Sequence, residues 1–372
     1  MNKKIRVFEA FAGYGSQSIA LRNIGVPYEV VGISEIDKYA IKAYEAMHGK
    51  VNNLGDISKI KAEDIPEHDL FTYSFPCQDI STAGKQASLE ERSGTRSSLL
   101  WECRKIIATK KPRYLLMENV KNLVSKKHKP YFDKWLEYLE GLGYTNYWEV
   151  LNAKDYGVPQ NRERVFVVSV LGIHEPYEFP KGFKLEKNIK SILEDNVEDK
   201  YYLDADKVSK MKIRIPSPSS DVKNIGNTHP SGKGMNGNVF DSNGISPTLT
   251  TNKGEGIKIA LPCICASRGR NPQNPNSRVA GLPTEQMIEI NVNGVSNTLT
   301  TVQKDNYVFD NYQNPQIRKL TPKECFRLMG MSDDDINKIQ SAGISDTQQY
   351  KMAGNSIVVQ VLEYIFEELL LS

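Results

Sequence analysis

Ile5-Arg6-Val7-Phe8-Glu9-Ala10-Phe11-Ala12-Gly13-Tyr14-Gly15-Ser16 is an apolar run that breaks into a glycine-rich turn. A helix-like stretch, Gln17 to Asn23, follows and is closed by Gly25. Strand, turn and helix in that order read as the opening of an α/β unit. Glycine permits positive φ and close backbone approach, and a helix N-terminus favours polar or anionic groups. The pattern is Gly13-x-Gly15-x-x-Ser18, so the third glycine of the dinucleotide fingerprint is missing and no pyrophosphate loop is specified. A second apolar run, Tyr28 to Ile33, ends at Ser34-Glu35-Ile36-Asp37. Glu35 stands 20 residues after Gly15, the offset at which an acid accepts hydrogen bonds from ribose hydroxyls. The expected ligand is an adenosine derivative that lacks phosphates.

Further along, Gly55-Asp56-Ile57 precedes a third run, Asp69 to Tyr73, and then Ser74-Phe75-Pro76-Cys77-Gln78. A cysteine at a strand-to-loop junction can present a thiolate, although free cysteine is equally an ordinary core residue. Residues 79–98 are polar and rich in small residues, the composition of a loop able to close over substrate. Arg113 to Met117 is a further strand run ending at Glu118-Asn119-Val120. Phe132, Trp135, Leu136, Leu139 and Leu142 share one helical face. Two more runs, Thr145 to Leu151 and Arg164 to Leu171, flank Gln160-Asn161-Arg162-Glu163-Arg164. The fold class expected is α/β, a doubly wound, mainly parallel sheet. Ligands on such sheets bind outside the carboxyl ends of the strands, where Gly13, Glu35, Cys77 and Glu118 would crowd one edge.

After about residue 185 the pattern changes to glycine- and asparagine-rich sequence without helical periodicity. One echo recurs there: Asn243-Gly244-Ile245-Ser246-Pro247-Thr248-Leu249-Thr250-Thr251, and then Asn293-Gly294-Val295-Ser296-Asn297-Thr298-Leu299-Thr300-Thr301. It reads as a duplicated hairpin-like unit with Asn-Gly turns. Order returns at Arg318, with Thr321 as N-cap, Pro322 at N1 and Glu324 at N3 of a helix. The last helix carries Ile357, Val361, Ile365 and Leu369 beside Val358, Leu362, Phe366 and Leu370. So broad an apolar face needs a partner, expected to be the N-terminal domain, and Gly354-Asn355-Ser356 before it reads as a turn plus cap. The expected organisation is 1–185 catalytic, 186–317 an inserted smaller strand-and-loop domain, and 318–372 a return segment.

The chain holds 372 residues with a net charge of +3, 39% hydrophobic and 25% charged. No apolar run nears the roughly 20 residues of a membrane span. Five cysteines without a C-x-x-C pair signal neither a disulfide framework nor a zinc site. A reducing cytoplasm and a site without metal are expected.

The ordered set Phe8 to Gly15, Glu35, Asp56, Phe75-Pro76-Cys77-Gln78, Met117-Glu118-Asn119-Val120, Gln160 to Phe166 and Ala353-Gly354-Asn355-Ser356 resembles the DNA (cytosine-5) methyltransferases of bacteria and their phages. The resemblance implies an S-adenosylmethionine-dependent, Rossmann-like catalytic domain and a target-recognition domain in the variable part. It implies cofactor contacts from Phe11, Gly13, Gly15, Glu35, Ile36, Asp56, Pro76, Asn355 and Ser356. It also implies a Cys77 nucleophile assisted by Gln78, Glu118, Asn119 and Arg164, with Glu118 at cytosine N3 and Arg164 at the ring carbonyl. DNA contacts are expected from Ser81, Lys85, Arg92, Arg96, Arg162, Thr250 and Thr300, with Arg164 deeper in the site than Arg162. The implied partner is double-stranded DNA, bound by a monomer, with or without a cognate restriction endonuclease. A tRNA-directed branch shares the catalytic motifs, and a nucleotide-dependent dehydrogenase would leave Cys77 unexplained.

Overall fold

In the computed structural model, the structure describes residues 4–76, 80, 96–187, 189–201, 212–214, 263–274, 283–290, 306–309 and 317–371. The backbone packs into two compact units. One comprises Met1–Val158, Arg162–Lys184 and Met329–Ser372, the other Pro159–Asn161 and Leu185–Leu328.

The first unit is built on a six-stranded sheet in the order β2-β1-β3-β4-β6-β5. Its strands are β1 (Ile5–Ala10), β2 (Tyr28–Ser34), β3 (Leu70–Tyr73), β4 (Tyr114–Val120), β5 (Tyr144–Asn152) and β6 (Glu163–Leu171). β1, β2, β3 and β4 pair in parallel, whereas β6 runs antiparallel to both β4 and β5. The sheet is thus mainly parallel, with one strand reversed. β1 has β2 on one side and β3 on the other, so the winding changes direction between β1 and β3. A crevice opens at the carboxyl ends of strands where the winding reverses. Phe11–Gly15 and Ser74–Pro76 are the segments that leave the sheet there.

Aromatic packing beneath β3 sets the level of that edge. Phe71, Tyr73, Phe75 and Trp135 are buried in one cluster, and Trp135 Nε1 donates to Tyr73 Oη at 3.1 Å. Trp135 comes from α4 (Lys129–Gly141), whose buried residues are Phe132, Trp135 and Leu139. The earlier helices are α1 (Ser16–Asn23), α2 (Lys38–His48) and α3 (Leu100–Lys110).

The C-terminal segment completes this unit with α6 (Asp333–Ser341), α7 (Asp346–Asn355) and α8 (Val359–Leu370). α8 buries Val359, Val361, Leu362, Ile365 and Phe366 and packs on α1, the partner that its apolar face required. Arg22 of α1 pairs with Asp335, and Asn23 donates to Glu363 at 2.6 Å. Gly354 and Asn355 belong to the last turn of α7, and Ser356 caps its C-terminus, so the expected turn-plus-cap before α8 is instead a helix end.

In the second unit, the described strands form a five-stranded sheet of β7 (Lys212–Arg214), β8 (Cys263–Arg270), β9 (Glu285–Ile290), β10 (Asn306–Phe309) and β11 (Ile317–Lys319), ordered β11-β10-β8-β9-β7. α5 (Pro322–Arg327) opens with the expected capping box, Thr321 and Glu324 bonding reciprocally. α5 belongs with this unit because Glu324 Oε1 also accepts from Glu194 N at 2.9 Å and Arg327 donates to Ile192 O at 3.1 Å. The compact boundary therefore falls at Leu328/Met329, beyond the change of pattern at 318. The Thr-Leu-Thr-Thr repeats lie outside the described residues.

Beneath the first turn, Glu9 is fully buried. Its Oε1 accepts from Ser18 Oγ at 2.7 Å, and its other oxygen has no partner among the described residues. Burial pushes this carboxyl up to about 7, against the restraining hydrogen bonds of Ser18 and Tyr44. The ordinary value is 4.5, so between these two values the folded chain holds a proton that the unfolded chain has lost. Stability should therefore fall as pH rises through that window. Glu9→Gln is expected to raise the melting temperature at about pH 8, by the equivalent of a few kcal/mol at most, with the gain shrinking toward about pH 5. Thermal melts of both proteins across pH test this, and a gain independent of pH would refute it.

Candidate active site

The glycine-turn side of the crevice is held by backbone donors. Phe11 leaves β1 with φ of 56°, uncommon for a bulky residue, and packs partly buried on the core. Gly13 has φ of 58°, and a Cβ there would meet no atom within 4 Å, so its face is open to a ligand. Gly15, at φ of 84°, is closed in: a Cβ would come within 2.7 Å of both Tyr44 and His48 on α2. Glu35 bridges these parts. Its Oε2 accepts from Gly13 N at 2.9 Å, and its Oε1 accepts from Ile36 N at 2.7 Å and Asp37 N at 2.8 Å. Oε1 is filled by its two donors, whereas Oε2, with one, keeps acceptor capacity for a hydroxyl. Ile36 beside it is 73% exposed, an apolar side chain offered to solvent or to a flat ring. Asp56 accepts from the hydroxyl and the N–H of Ser58, at 2.8 and 3.0 Å, and those bonds hold its carboxyl below the usual carboxylate range.

The return segment reaches the same edge. Tyr14 Oη donates to Ser356 Oγ at 2.8 Å, and Ser356 Oγ donates on to Ala353 O at 3.0 Å. Lys351 pairs with Asp37 at 2.6 Å, tying α7 to the loop that carries Glu35 and Ile36. Asn355 is exposed between these ties.

On the β4 side, Glu118 and Arg164 meet as diagonal neighbours. In the β4–β6 ladder Arg164 faces Val120 and Phe166 faces Glu118, so Glu118 and Arg164 share a face. Arg164 Nε lies 3.1 Å from Glu118 Oε1, both side chains largely buried, and Nη1 donates to Glu163 O at 2.8 Å. Asn119 points from the opposite face of β4, where its Nδ2 donates to Phe75 O at 2.9 Å. Pro76 O accepts from the buried Ser97 hydroxyl at 2.8 Å. Asn122 Nδ2 donates to Ile80 O at 2.5 Å. The backbone is gripped on both sides of Cys77–Asp79, at Phe75 and Pro76 before it and at Ile80 after it.

Cys77, Gln78, Ser81, Lys85, Arg92, Thr250 and Thr300 lie outside the described residues, and for Arg96 only the backbone is described. Arg162 departs from expectation. It is 3% exposed, and its Nη2 donates to Gly354 O at 3.1 Å and Ser356 O at 2.6 Å. Its guanidinium binds the end of α7, and it is the more buried of the two arginines, the reverse of the expected order. Burial of Arg162 satisfies carbonyls that a helix C-terminus leaves without intrahelical donors.

Residues that the motifs did not single out also tie these segments together: Asn53, whose Oδ1 accepts from Glu35 N at 3.1 Å, and Ser97, Asn122 and Lys351. Asn53 had a local signal, an asparagine two residues before a Gly-Asp turn. Ser97 and Lys351 had none, since each acts on a segment distant in sequence. Cys103 and Cys325 are buried, and burial pushes both thiols well up, the environment of inert core cysteines. Among the described residues no cluster of three or more His, Cys, Asp or Glu could hold a metal ion.

The family model described as C-5 cytosine-specific DNA methylase matches residues 5–371. The chain is 37% identical over 434 residues to the orphan methyltransferase M.SPRI of Bacillus phage SPR, covering 99% of this chain and 98% of that one. It is 38% identical over 420 residues to the type II methyltransferase M2.ScrFI of Lactococcus lactis subsp. cremoris, covering 98% and 99%. Two solved structures share its fold. Spodoptera frugiperda DNMT2, as a mutant, gives a TM-score of 0.65 at 15% identity, covering 98% and 99%. The Entamoeba histolytica methyltransferase EhMeth gives 0.62 at 20%, covering 99% of each. The family profile spans nearly the whole chain and both relatives match end to end, in agreement with the ordered motifs: the chain belongs to the C-5 cytosine-specific DNA methylases and is a DNA (cytosine-5-)-methyltransferase.

Proposed function

We propose that the protein methylates C5 of a cytosine flipped out of duplex DNA, through a covalent bond between Cys77 Sγ and C6. The observation that carries this reading is the Glu118–Arg164 pair beside Asn119, whose side chain grips the backbone just before Cys77. Cytosine C5 is a poor nucleophile. Addition of the Cys77 thiolate to C6 moves the ring's electron pair so that C5 becomes enamine-like, and a proton at N3 supplied from Glu118 offsets the charge that develops. Arg164, bonded to Glu118, would hold the ring carbonyl in the same plane. S-adenosylmethionine, when bound, supplies the methyl group as an electrophilic sulfonium. Transfer leaves S-adenosylhomocysteine; loss of the C5 proton to water, return of the N3 proton to Glu118 and expulsion of the Cys77 thiolate then restore the aromatic ring. C6 is covered by stacking in a duplex, so the base must leave the helix at a cost of a few kcal/mol.

The residues fit that cofactor. Gly13 leaves room for close approach, Glu35 Oε2 keeps an acceptor site for a ribose hydroxyl, Ile36 offers an apolar face to the adenine, and Asp56 is an acceptor for its amino group. Leu185–Leu328 would read the target sequence from its five-stranded sheet. Relatives of both orphan and type II kinds support a modification enzyme acting with or without a cognate endonuclease.

Cys77→Ala is expected to abolish methyl transfer while leaving cofactor affinity within about threefold. Retained transfer, or no covalent adduct of the wild type on duplex DNA carrying 5-fluorocytosine, would sink the thiolate mechanism. Methyl incorporation into tRNA but not duplex DNA would sink the choice of substrate. The two arginines should separate. Arg164→Ala is expected to lower kcat at least about a hundredfold with little change in melting temperature. Arg162→Ala, which strips donors from two carbonyls, should instead destabilise by about 1–3 kcal/mol in chemical denaturation. The reverse pattern would return Arg162 to the DNA surface.

A further inference from the structure

Asn53 makes more side-chain bonds to the site's backbone than any motif suggested. Its Oδ1 accepts from Glu35 N at 3.1 Å and from Gly55 N at 3.0 Å, and its Nδ2 donates to Glu35 O at 3.0 Å. Around it, residues 52–55 lie along the end of β2. Ile33 N donates to Asn52 O and Leu54 N to Ile33 O, each at 2.9 Å, and Ser34 Oγ donates to Gly55 O at 2.7 Å. One amide therefore joins the main chain of Glu35 to the residue immediately before Asp56. Glu35 in turn carries the Gly13 N–H, so the grip extends to the glycine turn.

Two N–H donors and one carbonyl must be satisfied from a single side chain at this spacing. A side chain with both an acceptor oxygen and an NH₂ group does this. Aspartate keeps the acceptor but loses the donor, and it adds a charge between two carboxylates.

We infer that Asn53 is a positioning residue for the cofactor. It fixes the separation between the acid that faces the ribose and the acid that faces the adenine amino group, and so favours a ligand bearing both. The inference rests on the proposed roles of Glu35 and Asp56. It predicts an effect on affinity rather than on chemistry, because the side-chain hydrogen bonds of Asn53 go to the backbone of Glu35 and Gly55.

The test uses the full chain with Asn53→Ala and the isosteric Asn53→Asp. S-adenosylhomocysteine is titrated by calorimetry, and steady-state rates are measured against S-adenosylmethionine at saturating duplex DNA. For Asn53→Ala, Kd and KM are expected to rise about tenfold or more, with kcat at saturating cofactor within about threefold and DNA affinity unchanged. Asn53→Asp should be weakened in the same sense. Unchanged cofactor affinity in both variants overturns the inference. So does a parallel collapse of kcat, KM and melting temperature, the mark of a merely structural residue. Should Asn53→Ala fail to fold, the Asn53→Asp titration decides alone. A wild type that binds no S-adenosylhomocysteine overturns the cofactor reading itself, a result distinct from a wild type and variants that bind equally well.

Discussion

The hydrogen bond from the Gly13 N–H to the Glu35 carboxylate is the contact on which the site depends. It closes the turn after β1 against the end of β2, and it forms only because Gly13 adopts positive φ and exposes its N–H. Glu35 is then oriented by two further N–H groups of its own loop and by the Asn53 amide acting on its backbone. A carboxylate fixed by several donors has little rotamer freedom left to lose when a ligand arrives, which is the general benefit of preorganisation.

The second constraint is that this edge is finished by chain from the far end of the sequence. Ser356, Lys351 and the carbonyls of 354 and 356 reach Tyr14, Asp37 and Arg162. α8 supplies the apolar face that buries against α1, while polar ties set the register. The division of labour is ordinary for protein interiors. Area removed from water supplies most of the energy, and hydrogen bonds to buried carbonyls penalise every other alignment. Arg162 belongs to this system, and its companion Arg164, two residues on, faces Glu118 on the same strand ladder. Neighbouring arginines of one motif are thus split between tying the end of α7 and pairing with Glu118.

Much of the fold was legible in the chain because hydrophobic period and turn chemistry are local. The runs at 5–11, 28–33, 69–73 and 145–151 correspond to strands, and Thr321-Pro322-Lys323-Glu324 makes the expected capping box. The reversal of β6 was not legible. Its residues are as apolar as those of its parallel neighbours, and direction is set by the connection that brings the strand in. Nor was the end of α7 at Gly354–Asn355, where glycine suggested a turn but Arg162 completes the helix terminus from another part of the chain.

By itself the sequence determined which chemistry the chain carries. A glycine turn, an acid at the next strand end, Ser74-Phe75-Pro76 after the third strand and an acid near the end of the fourth are all placed by local pattern along a sheet whose carboxyl edge gathers them. Tertiary structure alone decided how each group is held and which way it points. Arg162 and Arg164 are the same residue type in one short motif, and only their surroundings make one a buried tie and the other the partner of Glu118. The physical reason is that strand periodicity and turn propensity act over a few residues. The hydrogen bonds of Asn53, Asn119, Ser97 and Lys351 instead join segments whose proximity exists only after the sheet has formed.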